Sequence, residues 1–288
     1  VRGDGRRVTP ASLEEITPGV LVATSRRMST TSTVIVGRAG DALLVDPAWM
    51  PDELAALADE LTARGLRVVG GFATHAHHDH LLWHLGFGPA PRWASLATAR
   101  IAASEREDLV AALGDEFDGE LSTLMGRVTG VSGAIPPESV PAGVEIELIV
   151  HDGHAPGHTA LWLPGPRILI AGDMLSDIEL PLPFWPDDLP AYLAALDVLA
   201  PYAELAALVV PGHGRVGTDA AARLGADRRY LEDMVRSGAS DDPRTRLPAM
   251  ADDHAHMEVL AEEHRAGLRS PHVPQHPRPP QLRTADDR

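Results

Sequence analysis

The chain contains no cysteine, no lysine and no asparagine. Without cysteine there is no disulfide, no thiol nucleophile and no thiolate ligand for a metal ion. Without lysine there is no Schiff base and no amine nucleophile, and all 25 cations are arginine. Without asparagine there is no acceptor for N-glycosylation. Aromatic residues are scarce, at 4%, so two of them adjacent in one loop carry weight. Positive charge is scarce as well. Against 25 arginines stand 41 Asp and Glu, a formal net charge of -16, and a nucleic-acid partner is not expected because phosphate binding needs a basic patch. No apolar run approaches the roughly 18–20 residues of a spanning helix, so no membrane partner is expected either. Val1 to Thr9 is polar and Arg-bearing with no apolar stretch behind it, which leaves a cytoplasmic address as the expectation.

What is present reads as an ordinary globular protein. The 288 residues are 44% hydrophobic and 23% charged, ample for a sizeable core. Short β-branched or apolar runs broken by Gly, at Val20–Ala23, Thr33–Gly37 and Ala42–Asp46, predict antiparallel strands. Pro51–Arg64 carries apolar residues at helical spacing, with Pro at the first turn and Gly65 as the stop. Val68–Thr74 predicts a buried strand, and a short helix is expected at Leu81–Leu85. Arg92–Ser95 then predicts a strand and Leu96–Ser104 a helix. The same grammar returns from Val144, with strands at Val144–Val150, Ala160–Leu163, Arg167–Ala171 and Ala207–Val210. Helices are expected at Pro190–Ala200 and Asp219–Arg236. Between the halves, residues 105–141 are charged and Gly/Pro-punctuated and read as an inserted, partly helical, lid-like region. After about residue 240 the composition turns rich in Pro and His. The expected division is one domain over 1–240 and a C-terminal helical and Pro-rich extension over 241–288, with His254–Leu268 as its helix.

The chemistry is concentrated in Thr74-His75-Ala76-His77-His78-Asp79-His80, directly after a predicted strand. His75 and His77, two apart on extended backbone, point the same way and can bind one metal ion. Asp79 and His80 point to a neighbouring position and can bind a second. Imidazole with carboxylate suits zinc, manganese or iron rather than calcium. Three later positions each end a strand or fill a tight turn beside a Gly: His158 in Ala155-Pro156-Gly157-His158, Asp173 in Ala171-Gly172-Asp173, and His213 in Pro211-Gly212-His213. The remaining histidines read more plainly. His78 alternates away from the metals, and His84 lies four residues after His80. His151 and His154 are expected to be solvated loop residues. His254, His256 and His264 lie on the last helix without a carboxylate pattern like the first.

From about Val20 to Arg236 these residues resemble the metallo-β-lactamase superfamily, whose His-x-His-x-Asp-His motif stands here as His75, His77, Asp79 and His80. The resemblance implies an α+β fold, a four-layer αββα sandwich with the metal site at one edge between its sheets. It implies two divalent metal ions, zinc first, with manganese or iron as alternatives. One would take His75, His77 and His158, the other Asp79, His80 and His213, with Asp173 bridging. Asp46, ending an apolar strand, would orient a ligand histidine. The branch with a Cys ligand is excluded by composition. The bridging Asp173 argues against β-lactams as the main substrate, because β-lactamases generally lack it. His77 excludes the diiron branch that carries Glu there, and a complete second set argues against mononuclear dioxygenases. Hydroxyacylglutathione hydrolases, acyl-homoserine lactonases, tRNA-processing endonucleases and unassigned hydrolases share the full ligand pattern.

Two such ions, about 3.5–4 Å apart, make a bridging water into a hydroxide near neutral pH. The expected function is therefore hydrolysis of a carboxylic ester, lactone or thioester of a small molecule, with Asp79 as proton acceptor or donor. A small-molecule phosphodiesterase and a non-catalytic metal-binding module on the same fold are the alternatives. Leu180-Pro181-Leu182-Pro183-Phe184-Trp185-Pro186 cannot be a central strand, since each Pro removes a donor. A stiff apolar loop near the metal edge suits one wall of a pocket, so Leu182, Phe184 and Trp185 are the expected substrate residues.

Overall fold

The computed structural model describes residues 12–48, 50–117, 119–183 and 188–267. Its first half builds a seven-stranded sheet in chain order: β1 (Glu14–Thr17), β2 (Val20–Thr24), β3 (Thr31–Val36), β4 (Asp41–Val45), β5 (Arg67–Phe72), β6 (Arg92–Ser95) and β7 (Thr129–Val131). Pairing is antiparallel from β1 to β4 and parallel from β4 to β7. The change of direction requires crossovers, which α1 (Pro51–Ala63) supplies between β4 and β5, and α2 (Leu96–Ser104) between β6 and β7. Two short helices, α3 (Arg106–Ala111) and α4 (Gly119–Leu124), precede β7. The second half builds a four-stranded sheet, ordered β11 (Leu208–Pro211), β10 (Ile168–Gly172), β9 (Thr159–Leu163) and β8 (Glu147–Val150). Helices α5 (Leu189–Leu205), α6 (Ala220–Ser237) and α7 (Ala251–Arg265) complete the described chain.

Side-chain alternation shows how these pieces stack. Val20, Val22, Ile35, Leu43, Val45 and Phe72 of the first sheet share one core with Leu161, Leu163, Ile168, Ile170 and Val210 of the second. The intervening positions Leu21, Ala23, Val34, Ala42 and Leu44 point the other way, into a core with Leu54, Leu57 and Leu61 of α1. Ala160, Trp162, Leu169, Ala171 and Val209 likewise face Leu196 and Leu199 of α5 and Tyr230 and Leu231 of α6. A period of two with both faces apolar is what a sheet covered on both sides demands. Three cores separate four layers, helix–sheet–sheet–helix, and the α+β sandwich expected from the sequence is the fold.

Helix ends follow local chemistry. Pro51 opens α1 and Glu53 reaches back to the Met50 amide at 3.2 Å. Asp188 caps α5 by accepting from the Ala191 amide at 2.9 Å.

Two expectations need correction. The helix at Leu81–Leu85 is absent; a turn and an extended segment lead instead to a 3₁₀ turn at Leu85–Phe87. Leu81, Leu82 and Trp83 are all buried in the first core, three consecutive side chains that the single apolar stripe of a surface helix could not bury together. Residues 105–141 are not a separable lid either. Leu109, Leu113, Phe117, Leu121 and Met125 fill the same core, and Thr129–Val131 is a strand of the sheet. The last helix places Met257, Leu260 and Ala261 in one core with Tyr230, Leu231 and Met234 of α6. The Pro-rich stretch after residue 267 lies outside the described residues.

The inter-sheet core sets a stability test. Leu43 is fully buried and Leu96 is 62% exposed. Leu43→Ala is expected to cost about 2–5 kcal/mol in urea unfolding, and Leu96→Ala to stay within about 0.5 kcal/mol. Equal costs would contradict the layer assignment.

Candidate metal centre

The two sheets are stitched together at one edge by main-chain hydrogen bonds. The Thr159 amide donates to the Thr74 carbonyl at 2.9 Å, and the Thr31 amide to the Gly212 carbonyl at 2.7 Å. Strand ends from both sheets therefore arrive at one place, and they carry the histidines and aspartates. His75, His77, His154 and Asp173 bring ligand atoms within 4.8 Å of one another, as do Asp79, His80 and His213.

Asp173 lies between the two groups. Its Oδ2 is 3.3 Å from Nε2 of His75, 3.3 Å from Nε2 of His154 and 3.2 Å from Nε2 of His213. Its Oδ1 is 3.1 Å from Nε2 of His80. Space for this carboxylate depends on glycine. A Cβ on Gly212 would stand 1.9 Å from Asp173 Oδ1, and one on Gly172, whose φ is +55°, would stand 2.5 Å from the His158 ring.

The imidazoles are aimed from behind. Asp46, at the end of β4, accepts from the Thr74 amide (2.8 Å) and hydroxyl (2.6 Å) and from Nδ1 of His80 (3.0 Å). The Thr74 hydroxyl, having given its proton to Asp46, accepts from Nδ1 of His75 at 3.0 Å. His154 Nδ1 donates to the Leu182 carbonyl at 3.0 Å, and His213 Nδ1 to the Met28 carbonyl at 3.1 Å. A carbonyl only accepts, so in each ring Nδ1 holds a proton and Nε2 is the nitrogen turned inward. His77 is the exception: its Nδ1 faces inward, 2.9 Å from Nε2 of His75.

The donors converge without satisfying one another. Asp79 Oδ2 and Asp173 Oδ1 are buried and receive no hydrogen bond, although imidazole nitrogens stand close by. Buried polar atoms are normally paired, and imidazole nitrogens converging on two orphaned carboxylate oxygens fit divalent cations. The electrostatics agree. Burial pushes His75 down to about 4, and burial with His75 and His154 pushes His77 down as well, leaving neutral donors. In the second group burial also opposes charge, but the carboxylates of Asp173, Asp79 and Asp46 outweigh it and hold His80 well above the ordinary range. Asp173, Glu179 and Asp79 raise His213 to about 10 in the same way. Burial notwithstanding, His80, His78 and His213 hold Asp79 at about 2. This edge calls for positive charge, from protons or from metal ions.

Of the expected ligands, the structure gathers His75, His77, Asp79, His80, Asp173 and His213, and replaces His158 by His154. His158 Nε2 accepts from the Asp173 amide at 3.1 Å, and its ring lies stacked between His75 and His151, at 5.0 and 4.8 Å between centroids. Its main-chain carbonyl accepts from His151 at the β8–β9 junction, so the sheet fixes its direction. His154, at the loop tip with a φ of +67°, swings into the cluster. Both His151 and His154 are 8% exposed, which corrects their reading as solvated. The only sequence signal was that His154, like His158 and His213, follows a glycine. Leu182 is buried in the core with Leu180, Leu189 and Met250. It meets the site through its carbonyl, as the His154 partner, rather than as a pocket wall. Phe184 and Trp185 lie outside the described residues.

A family model described as the metallo-beta-lactamase superfamily matches residues 26–213. No curated protein matches the chain in sequence. Among solved structures, a metallo-beta-lactamase family protein from Thermus thermophilus is 23% identical, covering 87% of this chain and 95% of its own, with a TM-score of 0.62. The metallo-beta-lactamase from Pontibacter korlensis is 20% identical over 77% of this chain and 99% of its own, with a TM-score of 0.61. A stereoselective inverting sec-alkylsulfatase from Pseudomonas sp. is 15% identical over 90% of this chain and 51% of its own, also at 0.61. At these identities the likeness is one of fold.

Metal-free protein offers a pH test. Because the folded pKa of His213 is raised from 6.5 to about 10, its contribution to stability is fully present below pH 6.5 and is lost as pH rises through 10. The urea midpoint of metal-free protein is expected to be lower at pH 10 than at pH 8, a range above that in which the lowered histidines, His75 and His77 among them, affect stability. Zinc loading, which replaces the proton, and His213→Gln should each shrink that difference. A midpoint that rises from pH 8 to pH 10 in metal-free protein would contradict the charge balance described.

Proposed function

The chain belongs to the metallo-beta-lactamase superfamily, and from that premise we propose that it is a two-metal hydrolase acting on a carboxylic ester, lactone or thioester of a small molecule. One observation carries this reading: the Asp173 carboxylate stands between two sets of nitrogen donors, 3.3 Å from His75 on one side and 3.1 Å from His80 on the other. His75, His77 and His154 would hold one ion, Asp79, His80 and His213 the other, and Asp173 both. Zinc suits the imidazole–carboxylate set best, with manganese or iron able to occupy it. When bound, the pair would lower the pKa of a shared water and polarise the carbonyl to be attacked.

The chain's own residues supply the rest. Asp46 and the carbonyls of Met28 and Leu182 hold the rings in register, so the donors need not reorganise. Asp79, ionised beside His80 and His213, would accept a proton from the nucleophile and return it to the leaving group. Phe184 and Trp185, which follow by two and three residues the Leu182 whose carbonyl holds His154, would form an apolar wall. Arg27 pairs with Glu116 at 3.4 Å, bringing the 105–141 region to the neighbourhood of Met28. The acidic balance and the absence of lysine favour a small substrate over a polyanion.

The deciding experiment is a panel of thioester, lactone, carboxyl ester and bis-aryl phosphodiester substrates, run on zinc, manganese and iron forms with a metal-stripped control. Metal-dependent turnover of a carbonyl substrate is expected. Preference for the phosphodiester would move the assignment to that chemistry, and no turnover would leave a binding module. Within the active panel, Asp173→Ala should lower kcat far more than Asp177→Ala and reduce bound metal below two per chain by elemental analysis. Equal losses would remove Asp173 from its bridging role.

Phe184→Ala or Trp185→Ala should raise KM for long acyl chains more than for short ones, with metal content intact. A drop in thermal stability without any change in chain-length preference would place both residues in the core instead.

A further inference from the structure

The segment that follows Asp173 is held from outside the family-matched region, which ends at residue 213. Leu175, two residues past Asp173, has a φ of +58°, a conformation that a bulky side chain adopts only when its surroundings impose it. Both of its main-chain polar groups are taken by α6. Its amide donates to Asp227 Oδ2 at 3.2 Å, and its carbonyl accepts from Arg223 at 3.3 Å. The next residue, Ser176, donates through Oγ to the His213 carbonyl at 2.7 Å. One short loop thus joins the carboxylate between the metal groups to a histidine of the second group.

Arg244 is the residue on which that loop rests. It lies in a 3₁₀ turn, Pro243–Arg246, ahead of α7, and is 7% exposed. Its NH1 group donates to the Ser176 carbonyl (3.0 Å), the Glu179 carbonyl (2.8 Å) and Asp227 Oδ1 (2.7 Å). Its other face is pinned by Asp242, which accepts from Nε at 3.0 Å and NH2 at 2.8 Å. A buried ion pair adds little net stability over an apolar filling, because desolvation offsets the attraction. Its effect is directional: a planar guanidinium sets where two carbonyls must sit.

We propose that Arg244, paired with Asp227, is a positioning residue of the metal centre, clamping the 174–179 loop so that Asp173 and His213 hold their separation. The segment after residue 240 is on this view part of the centre's support. The proposal rests on the two-metal reading and adds a residue that touches no metal and no substrate.

The test compares Arg244→Ala, Arg244→Lys and Asp227→Asn with wild-type protein, and with Arg228→Ala as a control at an exposed ion pair. In metal-free Arg244→Ala, amide exchange should accelerate at Leu175 and Glu179 and stay unchanged in β9 and β10. On metal loading, chelator competition should show the ion of the Asp79, His80 and His213 group weakened about 10–100-fold, the range for partners that orient ligands, and more than the other ion, which shares only Asp173 with the clamped loop. The visible spectrum of the cobalt(II) form should shift, and kcat should fall with little change in KM. Guanidinium ion in the tens of millimolar range should restore the spectrum and kcat, and sodium chloride should not. Lysine, which cannot span both carbonyls and Asp227, should rescue poorly. If Arg244→Ala does not fold, Asp227→Asn, which keeps shape and removes charge, is read by the same assays. Variants that lose thermal stability yet keep wild-type metal affinity, spectrum and kcat would overturn the clamp. Wild-type protein that fails to bind two ions would overturn the two-metal reading itself, which separates the two failures.

Discussion

The carboxylate of Asp173, buried at the end of β10 with imidazoles of two groups within 3.3 Å, constrains everything around it. An ionised carboxylate inside a protein must be neutralised or hydrogen-bonded, and here one oxygen has no hydrogen bond at all. The surroundings answer with imidazole nitrogens rather than with a lysine or arginine. That arrangement is costly without cations, and it explains the opposite behaviour of the two histidine groups. Where histidines outnumber carboxylates, at His75 and His77, burial keeps the rings neutral. Where carboxylates dominate, at His80 and His213, the rings hold protons far above the ordinary range. Metal ions and protons compete for one electrostatic demand.

A second constraint is aim. A histidine that rotates freely is a poor ligand, and the fold uses backbone carbonyls, Thr74 and Asp46 to stop that rotation. These groups come from distant parts of the chain: Asp46 from the end of β4, Met28 from the loop between β2 and β3, Leu182 from the stretch before α5. Each acts on Nδ1, and the common result is an inward Nε2. His158, which takes neither role, serves by accepting from the Asp173 amide, so the main chain beneath the carboxylate is held as well as its side chain.

The helical layer of the second half then reaches the same loop from the opposite direction. Asp227 and Arg223 of α6 and Arg244 beyond it converge on residues 175–179, and α7 holds that corner by burying Met257 and Leu260 against α6. The metal edge is therefore supported by the sheets in front and by an ion-pair network behind, and the backbone strain at Leu175 sits between them.

Local pattern alone determined much of this protein. The short apolar runs at Val20–Ala23 and Ala42–Asp46, too short for helices and bounded by glycines or turn residues, read as strands, and both are strands. The absence of cysteine and lysine removed whole chemistries, and the spacing of His75, His77, Asp79 and His80 marked a site for metal. Asp46 was legible as a residue that orients a ligand only through the resemblance of the apolar strand ending on it to the family's pattern. What the sequence left open were choices between like patterns. Gly153-His154 and Gly157-His158 look alike on paper, and only the pairing of His151 with the His158 carbonyl and the left-handed turn at His154 direct one ring inward and the other aside. Leu182 offered an apolar side chain, yet the site uses its carbonyl. Arg244 carried no motif at all. Residue type and spacing are local properties, but the direction of a side chain and the neighbours it meets depend on backbone angles and strand register set by distant segments, and those exist only once the two sheets have packed.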